Sequence, residues 1–193
     1  MRQKIAVAGS NTSFGWDERP PNSIMYSTPN FNGFTGSYLY SADSASVTGF
    51  EDNRRRVSSL GLKYAKGPLY VAYAYETHRF LNITDSGNPT ETGYRLGASY
   101  NFGAFKVGGV YQDLKDIGGT DVGDSSIKRK SWALGGAYTA GNNVFKVQYA
   151  KADDLSNNSA GASQPGTGAT MWALGWDHLF SKTTKAYVAY AKT

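Results

Sequence analysis

Lys63, Arg95, Lys106, Arg129 and Lys146 occupy polar positions in successive stretches where apolar and polar residues alternate. Lys63 sits between Leu62 and Tyr64, Arg95 between Tyr94 and Leu96, Lys106 between Phe105 and Val107, and Lys146 between Phe145 and Val147. In an extended chain, neighbouring residues point to opposite faces, so each of these cations turns away from a greasy surface. Repeated strand after strand, the spacing makes a ladder of positive charge along one wet wall. Such a wall attracts anions, because confined low-dielectric surroundings focus the field of fixed charges. Ordinary solvated charge on an exposed face is the plainer alternative, since Lys and Arg are seldom buried.

Other chemistries find little support. The chain has two histidines, His78 and His178, and no cysteine, so it lacks the usual ligand set for a transition metal. Asp153-Asp154 and the pair Asp121 and Asp124 are spaced as solvated loop acids and do not match a calcium loop. No G-x-S-x-G nucleophile elbow, P-loop or G-x-G-x-x-G occurs. Sequons at Asn11, Asn82 and Asn157 fall in polar loops. The net charge is +5 and the pI near 9.3. Arg54-Arg55-Arg56 and Lys128-Arg129-Lys130 are the short basic runs, and neither belongs to a nucleic-acid motif. The expectation is therefore a non-enzyme with no cofactor, no metal and no nucleic-acid partner.

The elements that would position the cations are strands. Among 193 residues stand 23 Gly and 14 Tyr, a composition suited to turns, strands and boundaries between apolar and wet surroundings. Alternation predicts ten strands, at 22–28, 33–41, 56–65, 68–77, 92–101, 104–113, 129–139, 143–151, 169–179 and 184–192. Short turn sequences centre near residues 31, 66, 102, 140 and 181, so their separations are 35, 36, 38 and 41 residues. Between them run long polar loops rich in Ser, Asn, Asp, Thr and Gly. All short turns would lie at one end and all long loops at the other, as in up-and-down barrels of outer membranes. No secretory signal follows Met1, and no stretch is long and apolar enough for a spanning helix. Neither observation bears on a barrel, whose strands are about 10 residues long and apolar on one face.

The two faces divide cleanly. Tyr94, Leu96, Ala98 and Tyr100 oppose Gly93, Arg95, Gly97 and Ser99, while Trp172, Leu174 and Trp176 oppose Met171, Ala173, Gly175 and Asp177. Aromatic residues gather beside the short turns, as in Tyr64, Tyr100, Phe102, Phe105, Tyr138 and Phe145. A membrane-interface girdle accounts for that clustering, whereas a soluble sandwich gives no reason for it.

With strands and faces assigned, the stretch ERPPNSIMYSTPNFNGFTGSYLY resembles the strand–turn–strand that follows the constriction loop of Gram-negative trimeric porins of the β-proteobacterial type. Arg19, Asn22, Ser23, Ile24, Tyr26, Thr28, Pro29, Phe31, Gly33 and Phe34 carry the pattern. Similar matches occur in LGLKYAKGPLYVAYAYE, YRLGASYNFGAFKVGGVYQ and LGWDHLFSKTTKAYVAYAKT, where Phe180 replaces the family's Leu. The resemblance implies an all-β, antiparallel up-and-down transmembrane barrel, with about ten strands here corresponding to the C-terminal portion of a 16-stranded porin. It implies residues 1–20 as a constriction-loop remnant or irregular lead-in and 21–193 as barrel. It further implies a homotrimer in the outer membrane, in contact with its lipid, passing ions and small hydrophilic solutes by diffusion. Arg19 would then project near the constriction and join Lys63, Arg95, Lys106, Arg129 and Lys146 as pore-lining residues, with a mild preference for anions. The sequence lacks a PEFGG-like constriction core, and Pro20 and Pro21 stand where polar residues are more usual. The chain is expected to be part of a longer protein, its sheet open at 22–28 and 184–192. A complete ten-stranded barrel serving as adhesin or scaffold, and a soluble β-sandwich binding module, are the alternatives.

Overall fold

The computed structural model describes residues 20–42, 54–81, 90–117, 127–157 and 163–193, and all regular structure among them is β-strand. The strands are β1 (Ser23–Ser27), β2 (Phe34–Ser41), β3 (Arg54–Lys66), β4 (Leu69–Leu81), β5 (Thr90–Phe102) and β6 (Phe105–Ile117). They continue as β7 (Ile127–Ala140), β8 (Asn143–Ala152), β9 (Leu155–Asn157), β10 (Ser163–Gln164), β11 (Ala169–Leu179) and β12 (Lys185–Lys192). Sequence neighbours pair antiparallel in the order β1-β2-β3-β4-β5-β6-β7-β8-β11-β12, a meander with no crossover.

Tight turns fix this order. Gly67-Pro68, Gly103-Ala104 and Gly141-Asn142 each join two strands through two residues, and the glycines take φ of 59°, 79° and 56°. Positive φ at a two-residue hairpin turn matches the strands' own twist and is nearly free of steric cost only for Gly. The turn between β1 and β2 is built differently. Asn30 Oδ1 accepts the Gly33 amide at 2.7 Å, and Gly33 has φ of 101°. A Cβ on Gly33 would stand 3.1 Å from the Ala65 carbonyl oxygen, so the turn also packs closely on the end of β3.

All ten strands read from alternation are present, but several run further than expected. β4 reaches Leu81, β6 reaches Ile117 and β7 starts at Ile127. Alternation reports a boundary between apolar and wet surroundings, while backbone pairing continues past that boundary into water. β9 and β10 were not foreseen. They form a small hairpin off the main path, with β9 paired to β7 beyond the end of β8.

Register places Leu60, Leu62, Leu96, Val107, Leu134, Val147 and Leu174 on one face. These side chains are exposed, Leu134 to 60% and Val147 to 55%. The buried residues lie instead mostly on the polar face, including Ser41, Val57, His78, Glu91, Gln112 and Ser131. Side chains crowd on the concave side of a curved sheet and splay apart on the convex side. A soluble sandwich buries its apolar face between two layers; here that face is open, which removes the sandwich alternative. Among the described residues β1 pairs with β2 alone and β12 with β11 alone, so the sheet is open at those two edges as expected.

The apolar face carries two aromatic levels, not one. Phe34 with Tyr64, Tyr100 with Phe102 and Phe105 with Tyr138 stack or tilt at 4.5–4.6 Å beside the short turns. Tyr94 with Tyr111 at 6.1 Å, Trp132 with Tyr149 at 5.4 Å and Trp172 with Tyr190 at 5.3 Å form a second level toward the long loops. Tyr94 to Tyr100, Tyr111 to Phe105 and Trp132 to Tyr138 are each six residues apart, roughly 20 Å along a strand. The interval approaches the apolar band of outer-membrane barrels, about 25 Å tall. Replacing Leu96 or Val107 by Arg, between the two levels, is expected to destabilise the protein by about 2–4 kcal/mol when folded into a bilayer. Equilibrium unfolding from lipid vesicles checks this, with Lys106→Arg on the other face as a near-neutral control.

Candidate functional site: the polar face of the sheet

The face opposite the leucines holds nearly every charged side chain that could meet water inside a curved wall. β3 brings Lys63, β4 brings Glu76 and His78, and β5 brings Glu91 and Arg95. β6 adds Lys106 and Gln112, β7 adds Arg129, β8 adds Lys146, β11 adds Asp177 and β12 adds Lys185. The expected cations Lys63, Arg95, Lys106, Arg129 and Lys146 thus share a face, because each occupies the polar parity of an alternating strand. Arg19 lies outside the described residues.

Their surroundings differ. Lys63 and Lys106 are exposed, and among the described residues neither enters an ion pair. Lys106 and Lys146 both face Ala137 of β7 from either side. Two strand spacings separate them, about 10 Å, and the small Ala side chain leaves the space between them open. Arg95 donates through Nε to Gln112 Oε1 at 2.9 Å and through Nη2 to the same oxygen. The amide orients the guanidinium.

Lys146 is opposite Gly175, which offers no side chain, and its Nζ reaches past to Asp177 Oδ2 at 2.6 Å. Lys185 Nζ meets the same oxygen at 3.1 Å. Two lysines therefore share one carboxylate near the short turns, and the group retains one positive charge. Neither Asp177 nor Lys185 was singled out from sequence as a partner. Parity alone puts Asp177 two positions from Gly175 on the polar face, but which cation it meets depends on the register between β8 and β11.

Arg129 stands apart from the other four. It is only 7% exposed, and its Nη2 donates to the Thr167 carbonyl at 2.8 Å. Thr167 Oγ1 in turn accepts the Leu155 amide at 2.8 Å, and Asp154 Oδ1 accepts the Gly168 amide. Arg129 thus ties the lead into β11 to β7, beside the β9–β10 hairpin. Sequence could not show this, since the tie joins residues 38 positions apart.

The acids missed from sequence form a second cluster toward the long loops. His78 is 1% exposed, with Nε2 at 2.8 Å from Glu76 Oε1 and Nδ1 at 3.1 Å from Glu91 Oε2. Both ring nitrogens face carboxylates, and only the doubly protonated ring satisfies both contacts as a donor. The polar wall is therefore divided, with carboxylates around His78 at one end and lysines dominant at the other. His178 lies on the apolar face, with Nδ1 2.9 Å from Asn143 Oδ1 and its ring against Phe180. Among the described residues no cluster of three or more His, Cys, Asp or Glu could hold a metal.

Arg129→Gln is expected to loosen the tie at Thr167. Amide hydrogen exchange at Leu155 and Gly168 should quicken by about tenfold or more, the kinetic equivalent of losing a charged hydrogen bond. Exchange in the β5–β6 pair should be unchanged.

Comparison with known proteins places this geometry. A family model described as Gram-negative porin matches residues 2–193. Outer membrane porin protein 32 of Delftia acidovorans is 33% identical over 88% of this chain and 45% of its own length. An outer membrane porin protein of Bordetella pertussis is 30% identical over 90% of this chain and 52% of its own. The chain thus spans about half the length of the curated relatives it matches. Among solved structures, an anion-selective porin from Comamonas acidovorans superposes with a TM-score of 0.66 at 29% identity, over 88% of this chain and 48% of that one. OmpT, an outer membrane protein of Vibrio cholerae, superposes at 0.64 with 17% identity over 88% of this chain and 52% of that one, a likeness of fold.

Proposed function

This chain belongs to the Gram-negative porin family of outer-membrane channel proteins, which are not enzymes, and on that premise we propose that its polar face lines a water-filled diffusion channel. In lipid every backbone group needs a partner, so β1 and β12 find neighbours and the sheet closes into a barrel. The exposed leucines meet lipid tails, and ions and small hydrophilic solutes pass along the opposite face. Homotrimeric assembly, implied by the porin resemblance, belongs to the same proposal. So does the division into a lead-in over 1–20 and a barrel wall over 21–193.

The observation that carries the reading is the pairing of an exposed apolar face with a charged, partly crowded polar face across one continuous sheet. We further propose a mild anion preference. Lys63, Lys106 and the Lys146–Asp177–Lys185 group leave uncancelled positive charge on the wall. Arg95 adds an oriented guanidinium, and Arg19 extends the set. Arg129 contributes field from a buried position and leaves contact with solutes to the others. The Comamonas relative is described as anion-selective, which supports the same direction.

The zero-current potential of the full-length protein in a planar bilayer under a KCl gradient tests this. Anion preference is expected in the wild type, weakening as the Debye length falls from about 10 Å at 0.1 M salt to about 3 Å at 1 M. Changing Arg95 and Lys106 to Glu should move the potential toward cations, and a cation-selective wild type or an unmoved potential would sink the idea. Asp177→Asn should move it the other way, because Lys146 and Lys185 then lose the acid they share.

A further inference from the structure

One stretch of the polar wall is not polar. Met25 of β1 faces Leu39 of β2, Leu39 faces Ser59 of β3, and Val57, two positions from Ser59, is 2% exposed. All of them hold the parity that further along brings Lys63, Arg95 and Lys106. Alternation gives no reason for large apolar side chains there, since that parity meets water in a barrel.

Leu39 and Val57 line a cavity of about 200 Å³ at the long-loop end of the wall, together with Pro20, Ser59, Glu76 and His78. Register explains the convergence. Leu39 is opposite Ser59, Ser59 is opposite Glu76, and Val57 is opposite His78. One side of the cavity is therefore hydrocarbon, and the other is a carboxylate beside an imidazole. An apolar cavity of about 150 Å³ is enough to hold benzene, so this one has room for a short alkyl group.

The polar side is rich in acceptors. Glu76 Oε1 lies 2.8 Å from His78 Nε2, while among the described residues Glu76 Oε2 has no hydrogen bond or ion pair. The Glu76 side chain is 25% exposed, so a ligand can reach it. Both ring nitrogens of His78 are engaged by Glu76 and Glu91, which leaves the ring no N–H for an anion in the cavity. Ser59 supplies a hydroxyl that donates or accepts. Arg95, on the same wall, faces Ala74 and gives Nε and Nη2 to Gln112 of the next strand. Acceptors beside hydrocarbon are complementary to a positive donor with a short apolar tail, and a carboxylate there opposes an anion.

We propose that this cavity is a subsite for a primary alkylammonium, with the ammonium on Glu76 Oε2 and Ser59 Oγ and the alkyl group against Pro20, Leu39 and Val57. It holds the amino end of an amine-bearing solute at the long-loop end of a wall whose other charges are mostly cations. The subsite rests on the channel reading for its contact with passing solutes. Its binding is measured without current, so failure of one idea is distinguishable from failure of the other.

The test uses the full-length porin in detergent micelles and n-butylammonium as the probe. Saturation-transfer NMR titrations give Kd, with empty micelles as the blank. A Kd on the order of 1 mM is expected for a ligand of about five non-hydrogen atoms. Butyrate, with the opposite charge, and methylammonium, without the longer tail, should each bind at least about tenfold more weakly. Glu76→Gln should weaken butylammonium by about tenfold or more. Leu39→Ser leaves the Glu76–His78 pair in place and should remove the advantage of butylammonium over methylammonium, a result that holds even where Glu76→Gln does not fold. Absence of saturable binding, butyrate bound as tightly as butylammonium, equal affinity of the wild type for the two amines, or an unchanged preference in Leu39→Ser would each overturn the proposal.

Discussion

Every part of this structure answers one demand, that backbone N–H and C=O groups be paired where water is absent. An unpaired group in hydrocarbon costs several kcal/mol, and a meander of antiparallel strands satisfies the demand with the shortest connections. The unbroken pairing from β2 through β8 to β11, with one register shift between β6 and β7, is that solution at work. Once pairing is satisfied by neighbours, the two faces of each strand are free to differ. One face can then be leucine, valine and aromatic, and the other lysine, arginine and glycine.

On the polar face, parity alone does not decide how much charge a side chain presents at the surface. Lys63, Arg95, Lys106, Arg129 and Lys146 share parity, yet their surroundings separate them. Lys106 is exposed beside Ala137, Lys146 shares Asp177 with Lys185, and Arg129 is covered and committed to the Thr167 carbonyl. The field along the wall is therefore uneven. Carboxylates collect around buried His78 near the long loops, and net positive charge collects toward the short turns.

The apolar face is also structured along its height. Two aromatic levels enclose a band of small and branched residues, where Gly109 lets the Leu134 side chain lie against β6: a Cβ there would meet Leu134 Cδ2 at 2.7 Å. Above the upper level come Arg56, Arg79, Lys115 and Lys130. A lipid-facing surface thus has its own chemistry at its rim, distinct from the polar wall behind it.

Period-two alternation, turn glycines and the interval between short turns were enough to read ten strands, their order and the face of each residue. These features are local, since side-chain parity and turn φ depend on a few adjacent residues. The aromatic cluster beside the short turns was legible for the same reason. The second cluster was overlooked, although Tyr94, Tyr111 and Trp132 lie on the same parity, because their level appears only when staggered strands are aligned. Strand length past the membrane boundary was hidden, because pairing in water leaves no apolar period. The partners of the wall's charges were decided by tertiary structure alone. Asp177 meets Lys146 from 31 positions away and Arg129 meets Thr167 from 38. Such contacts depend on cross-strand register and on the gap above Gly175, which no local pattern records. Sequence determined which way each charge points, and the fold decided which charges remain uncancelled.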